Sequence, residues 1–375
     1  MLFLAACSGG GGSGTGSGTA STGWSAVGSA DFTSGEADFT SLALDSDTPY
    51  VAYSDFSNGG KATVEKFDGS TWSVVGSQGF STNGAYYTSL AIGPGGAPYV
   101  AYQDTANSFK LTVKSFNGSS WQDAGNPDFS AGEADVPTLA MGPSGVPVPY
   151  VAYSDNTKGH RATVQNLSAG AWSPVGPAGF SSGAVHVVSL AIDSNGTPYI
   201  AYIQVSDWKN DTSGTLIVEK FVKSSWSVVG TAASVATNAR VPVLAIGPSD
   251  VPYVAYEDAA ASDKATVEKY NSASQTWETV GSRDFTAGAV KDPSFAIDGT
   301  GTPYLAYADG VRNHKATVEK FNGTDWVYVG SPGFTPGAAA YDSLALDSTG
   351  IPYLAYQDST AQGNSKATVQ RYTGP

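Results

Sequence analysis

"FDGSTWSVVG" occupies residues 67–76, and "FNGTDWVYVG" occupies residues 321–330. Each runs from an aromatic strand end, through a turn, into a strand that starts with tryptophan. The tryptophan of this phrase recurs at Trp24, Trp72, Trp121, Trp172, Trp226, Trp277 and Trp326, at intervals of 48, 49, 51, 54, 51 and 49 residues. Two further phrases keep step with it. "PYVAY" begins at 49, 98, 149 and 252, "PYIAY" at 198, and "PYLAY" at 303 and 352. "KATVEKF" begins at 61 and has variants at 110, 161, 215, 264, 315 and 366. A fixed period near 50 residues means one structural unit repeated along the chain.

One unit can be read from residues 41–76. "SLALD" is a short apolar strand and "SDTP" a turn. "YVAYSD" alternates large and small residues, as a strand does. "KATVEKF" has period-two alternation, with Ala62, Val64 and Lys66 on one side and Thr63, Glu65 and Phe67 on the other. "DGST" turns the chain into "WSVVG". The reading is four antiparallel strands per unit, with the repeated apolar positions as core.

Four-stranded units repeated radially make a β-propeller. Residues 24–375 resemble the blades of kelch, NHL and sialidase-type propellers. The "DGSTW" turn is similar to the sialidase Asp-box, but is one residue shorter and varies between copies, so no single family follows from it. The expected fold is all-β, a seven-bladed β-propeller of four-stranded antiparallel blades. The chain ends set its closure. The last repeat, "KATVQRYTGP", has no tryptophan strand, whereas "GWSAVG" at 23–28 precedes any complete unit. The N-terminal strand is therefore predicted to pair beside residues 366–372 and complete the last blade. An open array would leave two raw sheet edges.

The formal charge of −14 disfavours phosphate backbones, so no nucleic-acid partner is expected. The single cysteine, Cys7, precludes an intrachain disulfide. It ends "LFLAAC", residues 2–7, which resembles the lipobox of bacterial lipoprotein signal peptides. That resemblance implies cleavage before Cys7 and lipidation of it. It places the protein in the bacterial cell envelope, as an outer-membrane or cell-surface lipoprotein touching the membrane only through a lipid anchor. Residues 1–7 are thus a signal remnant with the lipidation cysteine. Residues 8–22 are a flexible Gly/Ser linker with a reach on the order of 20 Å, and 23–375 form the propeller.

Comparing the copies locates candidate function. The architecture implies that the loops entering each innermost strand, and those between strands two and three, gather at one mouth of a central channel. Four residues before the first large apolar residue of each innermost strand stand Asp38, Tyr86, Asp135, His186, Arg240, Lys291 and Ala340. The next residues are Phe39, Tyr87, Val136, Val187, Val241, Asp292 and Tyr341. Such chemical divergence inside a uniform framework marks Asp38, Tyr86, Asp135, His186, Arg240 and Lys291 as candidate ligand-binding residues. A hydrated mouth without a ligand is the plain alternative. A recurring aspartate after strand two, at Asp55, Asp104, Asp155, Asp258, Asp309 and Asp358 with Gln204 in the fourth copy, reads as a turn cap. Equivalent sugar pockets between blades are the minority reading. The longest such loop, residues 205–214, carries Trp208, an off-register aromatic able to stack on a sugar.

Enzyme signals are sparse. Arg161, Arg312 and Arg371 fall in strand-three segments rather than forming the arginine clamp of sialidases. His160, His186 and His314 lack metal-ligand spacing, and no nucleophile elbow is evident. No catalytic residue, metal or cofactor is assigned. The favoured reading is a surface-tethered, monomeric, non-enzymatic propeller that binds a carbohydrate or protein partner. One alternative is a glycan-active hydrolase or lyase using Asp38 or Asp135 with Tyr86 and His186. The other is a structural component of a cell-envelope assembly.

Overall fold

The computed structural model describes residues 23–143, 148–360 and 364–374. The expectations for the Cys7 lipidation site and the 8–22 linker lie outside the described residues. Within them the chain is all-β and antiparallel, with short 3₁₀ turns and no α-helix. It forms five sheets of four strands and one of eight. The first repeat shows the pattern, with Ala37–Asp45, Thr48–Asp55, Lys61–Phe67 and Trp72–Val74 adjacent in chain order.

The eight-stranded sheet joins the fourth and fifth repeats. The last four residues of Gly214–Val222 pair with Ser225–Val228, and its first residues pair with Ala236–Gly247. At the other end of the chain, Trp24–Ala26 pairs with Lys366–Tyr372, Trp24 lying opposite Tyr372. That is the pairing expected from the missing tryptophan strand. The first strands of successive repeats touch in sequence, and Ala339–Leu346 touches Ala37–Asp45 to complete the cycle.

The repeated tryptophan has a specific task. Each indole Nε1–H donates to the backbone carbonyl just past the fourth strand of the preceding repeat: Trp72 to Val27, Trp121 to Val75, Trp172 to Ala124, Trp226 to Val175, Trp277 to Val229 and Trp326 to Val280, at 2.7–2.8 Å. Trp24 donates to Val329 in the same way, at 2.7 Å. Six of these rings also stack on a phenylalanine, Trp24 on Phe334 for example, with centroids 4.3 Å apart. Trp277 has no such partner. Indole and hydrogen bond together bind each repeat to the previous one.

The core lies between the sheets. The second tyrosine of every "PYxAY" is fully buried: Tyr53, Tyr102, Tyr153, Tyr202, Tyr256, Tyr307 and Tyr356. Rings of this size bury about 150–250 Å² each. Their hydroxyls are not left dry. Tyr53 donates to Glu65 and Tyr307 to Glu319, while Tyr153 and Tyr356 accept from Gln165 and Gln370. Each cluster of buried residues spans two repeats, as where Val51 and Tyr53 meet Ala355 and Val369.

Candidate functional site

Each first strand opens with a fault in its pairing. The register slips by one residue between Asp38 and Ser41, and equivalently at Tyr86/Ser89, Asp135/Thr138, Arg240/Val243, Lys291/Ser294 and Ala340/Ser343. An inserted residue of this kind re-aims the strand end. The bulge residue is left-handed in six repeats: Phe39, Tyr87, Val136, Val241, Asp292 and Tyr341 have φ between 37° and 55°. Side chains, above all β-branched ones, rarely adopt that conformation. It costs on the order of 1–3 kcal/mol. The fourth repeat departs from the pattern. Its slip falls between Val185 and Val188, so His186 lies inside the bulge, and Val187 is not left-handed.

The face where first strands begin, here the entry face, therefore collects the divergent residues. The expected candidates Asp38, Tyr86, Asp135, Arg240 and Lys291 do share one register position, opposite Ser54, Gln103, Ser154, Glu257 and Ala308. They sort into three groups around the cycle.

The first group is aromatic. Phe39 lies 5.5 Å from Tyr86, 4.6 Å from Tyr87 and 4.9 Å from Tyr341, ring centre to ring centre. Tyr87 is exposed. Burial, with Asp38 and Asp292 nearby, pushes the Tyr341 hydroxyl up to about 12. Asp38 accepts a hydrogen bond from Gln357 Nε2, yet burial still holds its carboxyl above the ordinary range.

The second group joins the third and fourth repeats. Asp135 Oδ2 lies 3.5 Å from His160 Nδ1, a contact too long for a firm hydrogen bond and ionic only when the imidazole is protonated. Burial raises the Asp135 carboxyl, Glu133 adds to this, and His160 opposes it. The His160 ring stacks on Trp208 at 3.6 Å and 10°, and His186 lies near-parallel to Trp208 at 5.7 Å. Trp208 thus differs from its expected role as a loop-tip platform. It is half-buried, packs against the core beneath the fourth repeat, and gives one face to His160.

The third group is ionic. Arg240 Nη1 donates to Asp263 at 2.8 Å and Nη2 to Thr212 at 2.9 Å. Lys291 is exposed, and no ion pair within 4 Å involves it among the described residues. Glu257, directly opposite Arg240 in the ladder, is 7% exposed. Burial first, and then Asp263, push its carboxyl up to about 8, against the pull of Arg240. Asp342 is buried, and desolvation followed by Asp292 raises it well above the usual range.

Every buried side-chain nitrogen or oxygen that lacks a hydrogen-bond partner among the described residues lies in these groups. They are Asp135 Oδ2, His160 Nδ1, His186 Nε2, Trp208 Nε1, Arg240 Nε and both carboxylate oxygens of Asp342. Asp135 and Arg240 do not pair with each other; each finds its charge partner locally. By contrast, the six recurrent aspartates are consumed as turn caps. Their Oδ1 atoms accept from the backbone N–H of Ser57, Ala106, Thr157, Ala260, Val311 and Thr360. Among the described residues, no group of three or more His, Cys, Asp or Glu is arranged to hold a metal ion.

Sequence comparison missed Glu257, Asp342 and His160. Glu257 belongs to a column that diverges as widely as the one chosen: Ser54, Gln103, Ser154, Ile203, Glu257, Ala308 and Gln357. Asp342 stands where the first two repeats have Thr40 and Thr88. Reading those neighbouring columns would have found both. His160 sits in a loop, and only the fold brings it to Asp135.

No protein-family model matches the chain, and no curated protein matches its sequence. Solved structures do resemble it. An ulvan lyase of polysaccharide lyase family PL25 superposes with a TM-score of 0.58 at 10% identity, over 91% of this chain and 94% of that one. A protein of unknown function from Dyadobacter fermentans gives 0.54 at 11% identity, over 93% and 98%. A mutant of AofleA from Arthrobotrys oligospora gives 0.50 at 12% identity, over 77% and 85%. At such identities the likeness speaks for architecture alone, and the architecture is β-propeller-like.

Proposed function

We propose that the chain is a seven-bladed β-propeller, completed by its N-terminal strand, that cleaves a glycan at its entry face by hydrolysis or elimination. The cyclic contact of the first strands and the Trp24–Ala26 pairing support the blade reading. The observation that carries the functional reading is the concentration of unpartnered buried polar atoms at one face. Folded chains satisfy nearly all such groups, and this one satisfies them elsewhere. A ligand rich in hydroxyls supplies both donors and acceptors to carboxylate, imidazole, indole and guanidinium.

The titrating groups suit acid–base chemistry on such a ligand. Glu257, held protonated up to about pH 8, is the proposed general acid. Asp135 with His160 is the proposed base, positioned across their 3.5 Å contact. Arg240 and Lys291 would hold an anionic substituent of the sugar. That the ulvan lyase is glycan-active is an analogy of fold, and weighs only as that.

The test uses the whole protein and its Glu257→Gln and Asp135→Asn variants on neutral and uronate-containing polysaccharides. New reducing ends and the ultraviolet absorbance of unsaturated sugars are followed together. Wild type should release product, and each variant should lose about a hundredfold or more in rate. Binding on a glycan array without any cleavage would return the protein to the non-enzymatic binding reading. The packing of Trp208 and His160 against each other, rather than around an open cavity, favours that second reading.

A further inference from the structure

Cavities open at the opposite, far face, between neighbouring repeats. One of about 640 Å³ separates the fifth and sixth repeats. Another, of about 630 Å³, lies where the last repeat meets the first, and a third, of about 420 Å³, lies between the first and second. We infer that the cleft between the fifth and sixth repeats binds an anionic sugar substituent, a carboxylate or a sulfate, at a site separate from the entry face.

Two lysines line this cleft, each placed by the strand ladder opposite a tyrosine: Lys269 opposite Tyr253 and Lys320 opposite Tyr304. Each ammonium lies over the ring of its tyrosine, at 5.3 Å and 6.0 Å from the centroid. Cation–π attraction fixes the ammonium position, so a ligand need not pay the full entropy of ordering a free lysine. Neither lysine has an ion pair within 4 Å among the described residues. Asp298 is the one carboxylate in the lining. Its Oδ1 is already engaged, accepting from the N–H groups of Thr300 and Thr302 and from the Thr300 hydroxyl. Two positive charges thus face one negative charge in a concave site, on a chain whose overall charge is −14.

The sister clefts set the expected order. Where the last repeat meets the first, Lys66 and Arg371 are balanced by Asp47 and Asp68. Between the first and second repeats Lys66 stands alone in a smaller space. The fifth–sixth cleft is therefore the strongest anion site of the three. That the anion is carried on a sugar rests on the glycan reading above; that the cleft takes an anion does not.

Isothermal titration of the whole protein with three probes tests the inference: an oligogalacturonate, a sulfated galactan oligosaccharide and a neutral cello-oligosaccharide. One or both charged probes should bind and the neutral one should not, and the charged pair separates carboxylate from sulfate. The double variant Lys269→Gln with Lys320→Gln should weaken binding about tenfold or more, the size expected for losing one to two charge-assisted contacts. Lys220→Gln, which changes the equivalent lysine over Tyr199 in the fourth repeat, outside this cleft, should leave it unchanged. Wild-type affinity in the double variant, equal binding of the neutral probe, or no binding of either charged probe overturns the inference. Absence of any cleavage by the wild-type protein, with cleft binding retained, would sink only the entry-face reading.

Discussion

The two faces of the molecule are built from the two ends of the same strands, and they are finished differently. At the far face several of the hairpin turns between third and fourth strands are alike and self-contained. Asp68 accepts from the N–H groups of Ser70 and Thr71, Asn117 from Ser119 and Ser120, and Asn322 from Thr324 and Asp325. At the entry face the second-to-third-strand loops are mostly capped by aspartate, but six of the first strands begin with a left-handed bulge, beside a side chain that varies among the repeats. These turns use Asp or Asn because their backbone N–H groups need a side-chain oxygen as acceptor. The bulge position makes no such demand, so its side chain is free to carry chemistry, and the unpartnered polar atoms collect there. The cost is backbone strain at non-glycine residues, which a closed ring of packed sheets can hold in place.

The comparison depends on the ring being closed, so breaking the closure should have the largest effect. Deleting residues 1–28 removes the strand paired to Lys366–Tyr372, the Trp24 bond to Val329 and its stack on Phe334. Loss of a buried aromatic alone costs about 3–5 kcal/mol, and a lost strand adds to that. A large fall in melting temperature is expected relative to a chain starting at residue 22. A truncated chain that melts within a degree or two of it would show that this strand does not secure the ring.

The repeat, the four-strand unit, the missing last strand and the aspartate caps were legible because they are local. Each depends on residues a few positions apart, repeated until chance is excluded. The site was legible in part. Divergence at one column singled out Asp135 and Arg240, but their partners come from elsewhere: His160 from a loop 25 residues on, and Asp263 and Thr212 from loops of two different repeats. Trp208 misled because its loop is long and polar, which suggests exposure, while its ring turns back onto His160 and the core. The fusion of the fourth and fifth repeats depends on one end of Gly214–Val222 reaching a second partner, and no period in the sequence encodes that.

The next sharpest test concerns Glu257, whose carboxyl is moved from 4.5 in the free state up to about 8 by burial. The folded protein binds this proton more tightly than the unfolded chain does. The group's contribution to stability is therefore most favourable below about pH 4.5. It declines as pH rises toward 8 and is flat beyond. Glu257→Gln removes the ionisable group, so its stability relative to wild type should rise across that window, by an amount on the order of 1–3 kcal/mol. Subtracting wild type cancels the other raised carboxyls, Asp38, Asp135, Asp342 and Glu65 among them. Parallel stability curves for the two proteins between pH 4.5 and 8 would mean that the Glu257 site is wetter than its 7% exposure indicates.

The smallest expected change in stability belongs to the residues with the largest expected role. Asp135 and Arg240 do not pair with each other, and their side chains keep 19% and 32% of their exposure. Partly exposed ion pairs contribute about 0–1 kcal/mol. Replacing both by alanine should accordingly move the melting temperature by only a few degrees, because His160 and Asp263, left behind, remain within reach of water. A far-face control such as Asp68→Ala should also cost little, since it removes one fully exposed turn cap. The two changes should part company in function. The Asp135/Arg240 double variant should lose cleavage and glycan binding at the entry face, and Asp68→Ala should keep both. If the double variant retains them and Trp208→Ala alone abolishes them, the working residues lie on the fourth repeat's long loop. The divergence of the first-strand column would then reflect relaxed packing at a hydrated rim.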